Sequence, residues 1–174
     1  MNIPGLILTN GFLPLLPIFG WNIVLTPKLP AAYGAKNFDR NIPRFILIGE
    51  NLFRIVVFIL PLLLKTGIGG KQGKTGLILY ATGCLIYFLS WILLILLPGS
   101  GWSRSLWGFT APAWTPLIWL TGIGLMADSW YFSVSYSPWQ YMAPAAAFFL
   151  FHMIHSALAY LNNGPAVSSD DRKP

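Results

Sequence analysis

The sequence predicts an all-α integral membrane protein built as a bundle of five transmembrane helices. Three observations lead to this fold class. Hydrophobic residues make up 55% of the 174 residues. Charged residues make up only 9%, whereas a soluble domain has roughly 25%. Apolar runs of about 20 residues, the length that crosses a bilayer, recur along the chain. The composition therefore excludes a soluble enzyme, a disordered chain and a disulfide scaffold.

The apolar runs predict one transmembrane domain over residues 1–161 and a polar C-terminal tail over residues 162–174. The five predicted spans are residues 4–25, 43–64, 76–97, 108–128 and 141–161. No basic residue precedes the first run, so we expect this run to belong to the mature fold rather than to a secretory signal.

Three prolines interrupt the first span, at Pro4, Pro14 and Pro17. A proline inside a helix removes a hydrogen bond and clashes with the preceding turn, so the first helix is expected to be kinked. The alternative is four full spans preceded by a re-entrant first segment that is broken at its prolines. Such a segment needs protein around its unpaired carbonyl groups.

The other spans have clearer boundaries. Pro43 suits the first turn of the second helix, and Pro61 should bend its last turn. The third span contains no charge and no proline, and Pro98 and Gly99 end it. The fourth span could start near residue 106 or near residue 111, and Pro112 and Pro116 favour the later start. Residues 122–127 match a glycine-rich nucleotide-binding pattern by letter, but they lie inside an apolar run, which predicts helix packing instead.

The distribution of basic residues predicts the orientation of the chain, because cytoplasmic loops are enriched in Lys and Arg. With five spans, seven basic residues fall on one side and three on the other. The larger set is Lys28, Lys36, Arg40, Arg44, Arg104, Arg172 and Lys173, and the smaller set is Lys65, Lys71 and Lys74. We therefore expect the N-terminus outside and the C-terminus inside.

Polar side chains occur at matching depths in three of the spans. A rise of about 1.5 Å per residue puts Glu50, Ser90 and His155 at one level. The same rise puts Arg54, Tyr87 and His152 near the midplane. Charges in hydrocarbon are costly and usually face the interior of a bundle, so these groups are candidates for one intramembrane pocket. The candidate binding residues are Glu50, Asn51, Arg54, Tyr87, Ser90, Trp91, His152 and His155.

This pocket predicts a small polytopic membrane protein that binds or transports a small molecule or a lipid. One alternative is a membrane-embedded enzyme that acts on a lipid or isoprenoid by acid–base chemistry. Another is a non-catalytic subunit of a larger membrane complex. The expected partners are membrane lipids and a small-molecule or lipid ligand, with other membrane proteins or a second copy of the chain as further candidates.

The sequence assigns no catalytic residue and indicates no particular cofactor. The two histidines lie three residues apart on one helical face, so they would not clamp a haem from opposite sides. Too few ligand side chains are present for a His-rich centre with two metal ions. Glu50, His152 and His155 could form a two-His, one-carboxylate set for a single metal ion, but no metal site is assigned. The net charge of +6 is carried mainly between apolar runs. That position indicates lipid headgroups rather than nucleic acid.

Overall fold

The computed structural model describes residues 9–163, and 74% of it is helical. The α-helices are α1 Leu15–Leu25, α2 Ala35–Phe38, α3 Arg44–Ile59, α4 Lys71–Leu96, α5 Gly101–Arg104, α6 Leu106–Phe109, α7 Ala111–Trp114, α8 Pro116–Met126 and α9 Trp139–Asn163. Short 3-10 turns cover Thr26–Lys28, Ala31–Tyr33 and Leu60–Leu63. Residues 4–8 of the first predicted span and residues 164–174 of the predicted tail lie outside the described residues.

Three helical segments within the described residues are long and apolar enough to cross a membrane. They are Arg44–Leu63, Lys71–Leu96 and Trp139–Asn163. They coincide with the second, third and fifth predicted spans, although α4 begins five residues earlier than expected, at Lys71 instead of Gly76. The prediction of a helical membrane protein is therefore supported at this coarser level.

The first predicted span contains a shorter helix than expected. Turns occupy residues 9–14, and α1 begins only after Pro14. Pro17 then lies in the first turn of α1, where a backbone N–H has no helical acceptor in any case. The expectation that these two prolines kink a long helix was therefore wrong, because they lie at the start of a short one.

The fourth predicted span is also interrupted, since residues 106–126 form α6, α7 and α8 rather than one helix. Pro112 and Pro116 lie at the starts of α7 and α8, where their missing N–H groups cost nothing. Thr110 and Thr115 lie at the two breaks, and each hydroxyl donates a 2.7 Å hydrogen bond to the carbonyl four residues earlier. Each of these carbonyl groups also accepts the backbone N–H of the same threonine, so the hydroxyl adds a second hydrogen bond at each break.

A small antiparallel sheet, which the all-α prediction did not include, lies at one end of the bundle. Strand β1, Leu64–Thr66, pairs with β2, Ala127–Trp130, with Leu64 opposite Trp130. Residues from the first segment join it, because Gly11 donates a 2.9 Å backbone hydrogen bond to Leu64. We call this the strand end, and the opposite end, which carries residues 26–43, the loop end. The strand pairing satisfies backbone groups where the helices stop.

Helices α4 and α8 make the most extensive packing contact of the described residues, and glycines allow it. A Cβ on Gly83 would lie 2.6 Å from the backbone nitrogen of Trp119, and one on Gly76 would lie 2.7 Å from that of Met126. Gly122 of α8 meets the backbone of α4 in the same way. The prediction that residues 122–127 serve helix packing is confirmed, and this close approach fixes Trp119 beside α4.

We expect Gly83→Ala to lower the free energy of unfolding by about 1–3 kcal/mol, because the added methyl group would meet backbone that cannot move away. Gly20→Ala in α1 is the matched control, since no atom lies within 4 Å of its Cβ position. That change should be neutral or stabilising by up to about 1 kcal/mol through helix propensity. Unfolding in detergent, followed by circular dichroism, checks both values. Equal effects would contradict the proposed role of the glycine contact.

Candidate functional site

The site is built where α3 packs on α9. A Cβ on Gly49 would overlap the ring of Phe151, so only glycine lets α9 approach this part of α3. The next residue of α3 is Glu50, and His152 follows Phe151 on α9. Close approach at one pair of residues therefore brings the neighbouring polar side chains of the two helices together.

Glu50 is the centre of the polar network, with a side chain that is only 3% exposed. One carboxylate oxygen, Oε1, pairs with Arg54 and lies 3.0 Å from Nδ1 of His152. The other oxygen, Oε2, contacts Nδ1 of His155. An unpaired carboxylate at this depth would be strongly unfavourable. The three partners compensate its burial and use its acceptor capacity on both oxygens.

His155 connects this network to the loop end. Its Nε2 lies 3.2 Å from the carbonyl oxygen of Phe38 and 3.3 Å from a carboxylate oxygen of Asp39. Both ring nitrogens therefore face acceptors, because Nδ1 faces Glu50. Only the imidazolium, with a proton on each nitrogen, donates on both sides. His155 in this form ties α3, α9 and the connection before α3 into one unit.

Aromatic residues cover the network at the loop end. The Tyr33 ring stacks on Phe109 with centroids 4.6 Å apart, and its hydroxyl donates a 2.8 Å hydrogen bond to the Phe109 carbonyl. Burial raises the pKa of Tyr33, so the hydroxyl stays protonated as this donor. Phe38 packs against His155 with ring centroids 4.6 Å apart. These rings limit the access of water to the Glu50–His155 pair.

A second polar wall faces the first across the interior. The Tyr87 hydroxyl donates a 2.6 Å hydrogen bond to the side-chain oxygen of Asn22 in α1. Trp91 and Trp119 pack edge-on against Tyr87, with ring centroids 5.6 and 6.2 Å away. The indole nitrogen of Trp119 has no hydrogen-bond acceptor among the described residues. This wall of the cavity is therefore mainly aromatic, with a few polar atoms from Asn22, Tyr87 and Trp119.

A cavity of about 510 Å³ lies between the two walls, within the range of small-molecule sites. Seven of the eight predicted site residues line it: Glu50, Asn51, Arg54, Tyr87, Trp91, His152 and His155. Ser90 is buried in α4 but is not a lining residue, and its hydroxyl donates a 2.7 Å hydrogen bond to the Tyr87 carbonyl within the helix.

The lining residues that sequence reasoning missed include Asn22, Tyr33, Asp39 and Trp119. Asn22 could have been found, because it is an amide inside the first apolar run. Tyr33 and Asp39 lie in a connection that was treated as exposed loop, and nothing in their spacing indicates that it folds back over the cavity. Trp119 carries no distinguishing signal among the other aromatic residues of its segment.

Comparisons with other proteins add no assignment. No protein-family model matches the chain, and neither the curated proteins nor the solved structures gave a match. Over residues 9–163, no group of three or more His, Cys, Asp or Glu side chains is arranged to hold a metal ion. The chemistry of the site is therefore argued from its own charges and hydrogen bonds.

Glu50→Gln should lower the free energy of unfolding by about 3 kcal/mol, because it removes the buried carboxylate on which Arg54 and both histidines converge. Asp39→Asn is the matched control, since Asp39 also contacts His155 but its side chain is 52% exposed. Solvent screens that pair, so the loss should be below about 1 kcal/mol. Chemical unfolding in detergent measures both. A larger loss for Asp39→Asn would show that the network is centred elsewhere.

Proposed function

We propose that this chain is a five-pass integral membrane protein that binds or transports a small molecule or lipid in the cavity between α3, α4, α8 and α9. In this arrangement the first apolar segment, which ends with α1, and the α6–α8 segment supply the two additional passes. The N-terminus is outside, and the loop end with the C-terminus is inside. The observation that carries the proposal is the buried Glu50 network on the wall of a cavity whose opposite wall is aromatic.

The surface of α3 supports a position in the bilayer. Apart from Arg44 at its start and Asn51 beside the cavity, its exposed side chains are apolar. They repeat at intervals of three and four residues, as expected for one face of a helix. They are Phe45, Ile48, Leu52, Ile55, Ile59 and, in the following turn, Leu62. Such a stripe on a soluble protein would be an exposed apolar patch, whereas lipid chains solvate it without cost. The opposite side of α3 carries Glu50 toward the cavity.

The architecture of the cavity supports binding rather than a purely structural role for the polar groups. A network that served only to join helices would be closed by protein, but here Arg54 and His152 also border open space. The lining comes from all five proposed passes. Apolar surface with a few converging polar groups is the usual composition of a small-molecule site.

Cysteine labelling tests the orientation. In a Cys84→Ala background, which removes the buried native thiol, Gly69→Cys and Lys36→Cys place single thiols at the exposed strand end and loop end. A membrane-impermeant maleimide added to intact cells should label position 69, and it should label position 36 only after permeabilisation. The reverse pattern would overturn the proposed orientation, and labelling of both positions in intact cells would overturn the odd number of crossings between them.

A thermal-shift screen with a library of small organic molecules and single-chain lipids tests the cavity. We expect at least one compound to stabilise the protein, and we expect its affinity to fall at least about tenfold in Tyr87→Phe or Trp119→Phe. The reason is that one buried hydrogen bond to a ligand is worth about 1–2 kcal/mol. Trp21→Phe is the control, because its indole nitrogen is likewise buried without an acceptor but Trp21 does not line the cavity.

Two results of this screen would replace the proposal. Chemical conversion of a stabilising compound, abolished by His155→Ala, would favour the membrane-embedded enzyme. Stabilisation that is unchanged by all of the cavity variants would remove the site, and the polar network would then serve only to hold the helices together.

A further inference from the structure

Arg54 has an unusual position for a charged residue in a membrane-spanning helix. It lies ten residues beyond the start of α3, which a rise of about 1.5 Å per residue converts to a depth of roughly 15 Å. This depth is half of a hydrocarbon core of about 30 Å. The side chain is nevertheless 42% exposed. A guanidinium at the midplane requires polar or charged partners in addition to Glu50.

Arg54 lines the cavity, and so do residues of α1 and α3, two helices that contact each other little. We call the region between them the α1–α3 gap. The two helices touch through Phe19 and Phe58, whose ring centroids lie 5.1 Å apart, but α3 packs far more extensively on α9 than on α1. Toward the loop end, Asn22 of α1 and Asn51 of α3 both line the cavity, and Asn51 is exposed. The cavity therefore extends between two helices whose outer faces are apolar.

Around Arg54, the hydrogen-bonding capacity of the cavity is unbalanced toward donors. Glu50 already accepts from Arg54 and both histidines. Arg54 has five N–H donors, and its other described polar contact is Asn51, at 3.4 Å. The Asp39 carboxylate also lines the cavity, but at the loop end beside His155. A ligand head that complements Arg54 brings acceptor atoms, and a negatively charged head makes the stronger hydrogen bonds.

We infer that the ligand is a single-chain amphiphile with an oxyanion head, which enters from the bilayer through the gap between α1 and α3. This inference rests on the proposed binding function and names its substrate class. The head pairs with Arg54 and accepts from Asn51, while the chain follows the apolar surface formed by Ile18, Phe58 and Phe148. A guanidinium at the opening draws the head out of the lipid layer, because it offers the charge-assisted hydrogen bonds that hydrocarbon lacks.

Photolabelling with a diazirine analogue of dodecanoate, in nanodiscs of zwitterionic lipid, tests the inference. We expect labelled peptides from the facing sides of α1 and α3, with labelling reduced at least tenfold by excess dodecanoate. Excess dodecyltrimethylammonium and excess acetate should leave it unchanged, which distinguishes an anionic amphiphile from a cationic one and from a water-soluble anion. Arg54→Gln should reduce the labelling at least fivefold.

Arg44→Gln is the matched control, because it removes the same charge from the same helix at a position that does not line the cavity. Arg54→Lys retains the charge and should keep labelling above the level of Arg54→Gln, so the test survives if the neutral variant folds poorly. Equal labelling of the Arg54→Gln and Arg44→Gln proteins would overturn the inference, as would labelling confined to the lipid-facing stripe of α3.

Competition distinguishes the failure of this inference from the failure of the proposed function. If acetate competes as well as dodecanoate, or if the ammonium compound competes, the substrate class is wrong while binding in the cavity stands. If the α1 and α3 peptides are not labelled at all, the lateral route is wrong, and the thermal-shift screen still decides independently whether the cavity binds any small molecule.

Discussion

The burial of one carboxylate, that of Glu50, determines how the rest of the site is arranged. A charge taken from water into the interior of a helical bundle must be neutralised and hydrogen bonded. Arg54 supplies a partner from one turn further along α3, and α9 supplies two imidazoles. These contacts fix the rotation of α3 and α9 about their own axes. Once those rotations are set, the apolar stripe of α3 faces outward and the cavity faces Tyr87.

Two kinds of helix–helix contact stabilise the fold. The α4–α8 contact depends on shape, since Gly76, Gly83 and Gly122 let two backbones approach closely and gain van der Waals contact, as in many membrane helix pairs. The α3–α9 contact depends on charge as well as on the Gly49–Phe151 fit. The shape-based contact forms one wall of the cavity, and the charged contact forms the other.

Sequence reasoning predicted the uninterrupted helices and most of the polar wall, for physical reasons that can be stated. Apolar run length identifies spans, and a constant rise per residue converts position into depth, which placed Glu50 and His155 together. Depth carries no information on the rotation of a helix about its axis, so it did not separate Tyr87, which lines the cavity, from Ser90, which does not. Proline effects depend on position within a helix, so the interruptions near Thr110 and the late start of α1 were not anticipated.

The contrast between the two walls has a mechanical consequence. The wall that carries Trp119 is clamped backbone to backbone against α4, so it is stiff. On the side of the gap, α1 is only 11 residues long and shares little surface with α3. A change in the width of the cavity would therefore come mainly from movement of α1. The Gly11–Leu64 backbone hydrogen bond would hold the segment before α1 in place during such a movement.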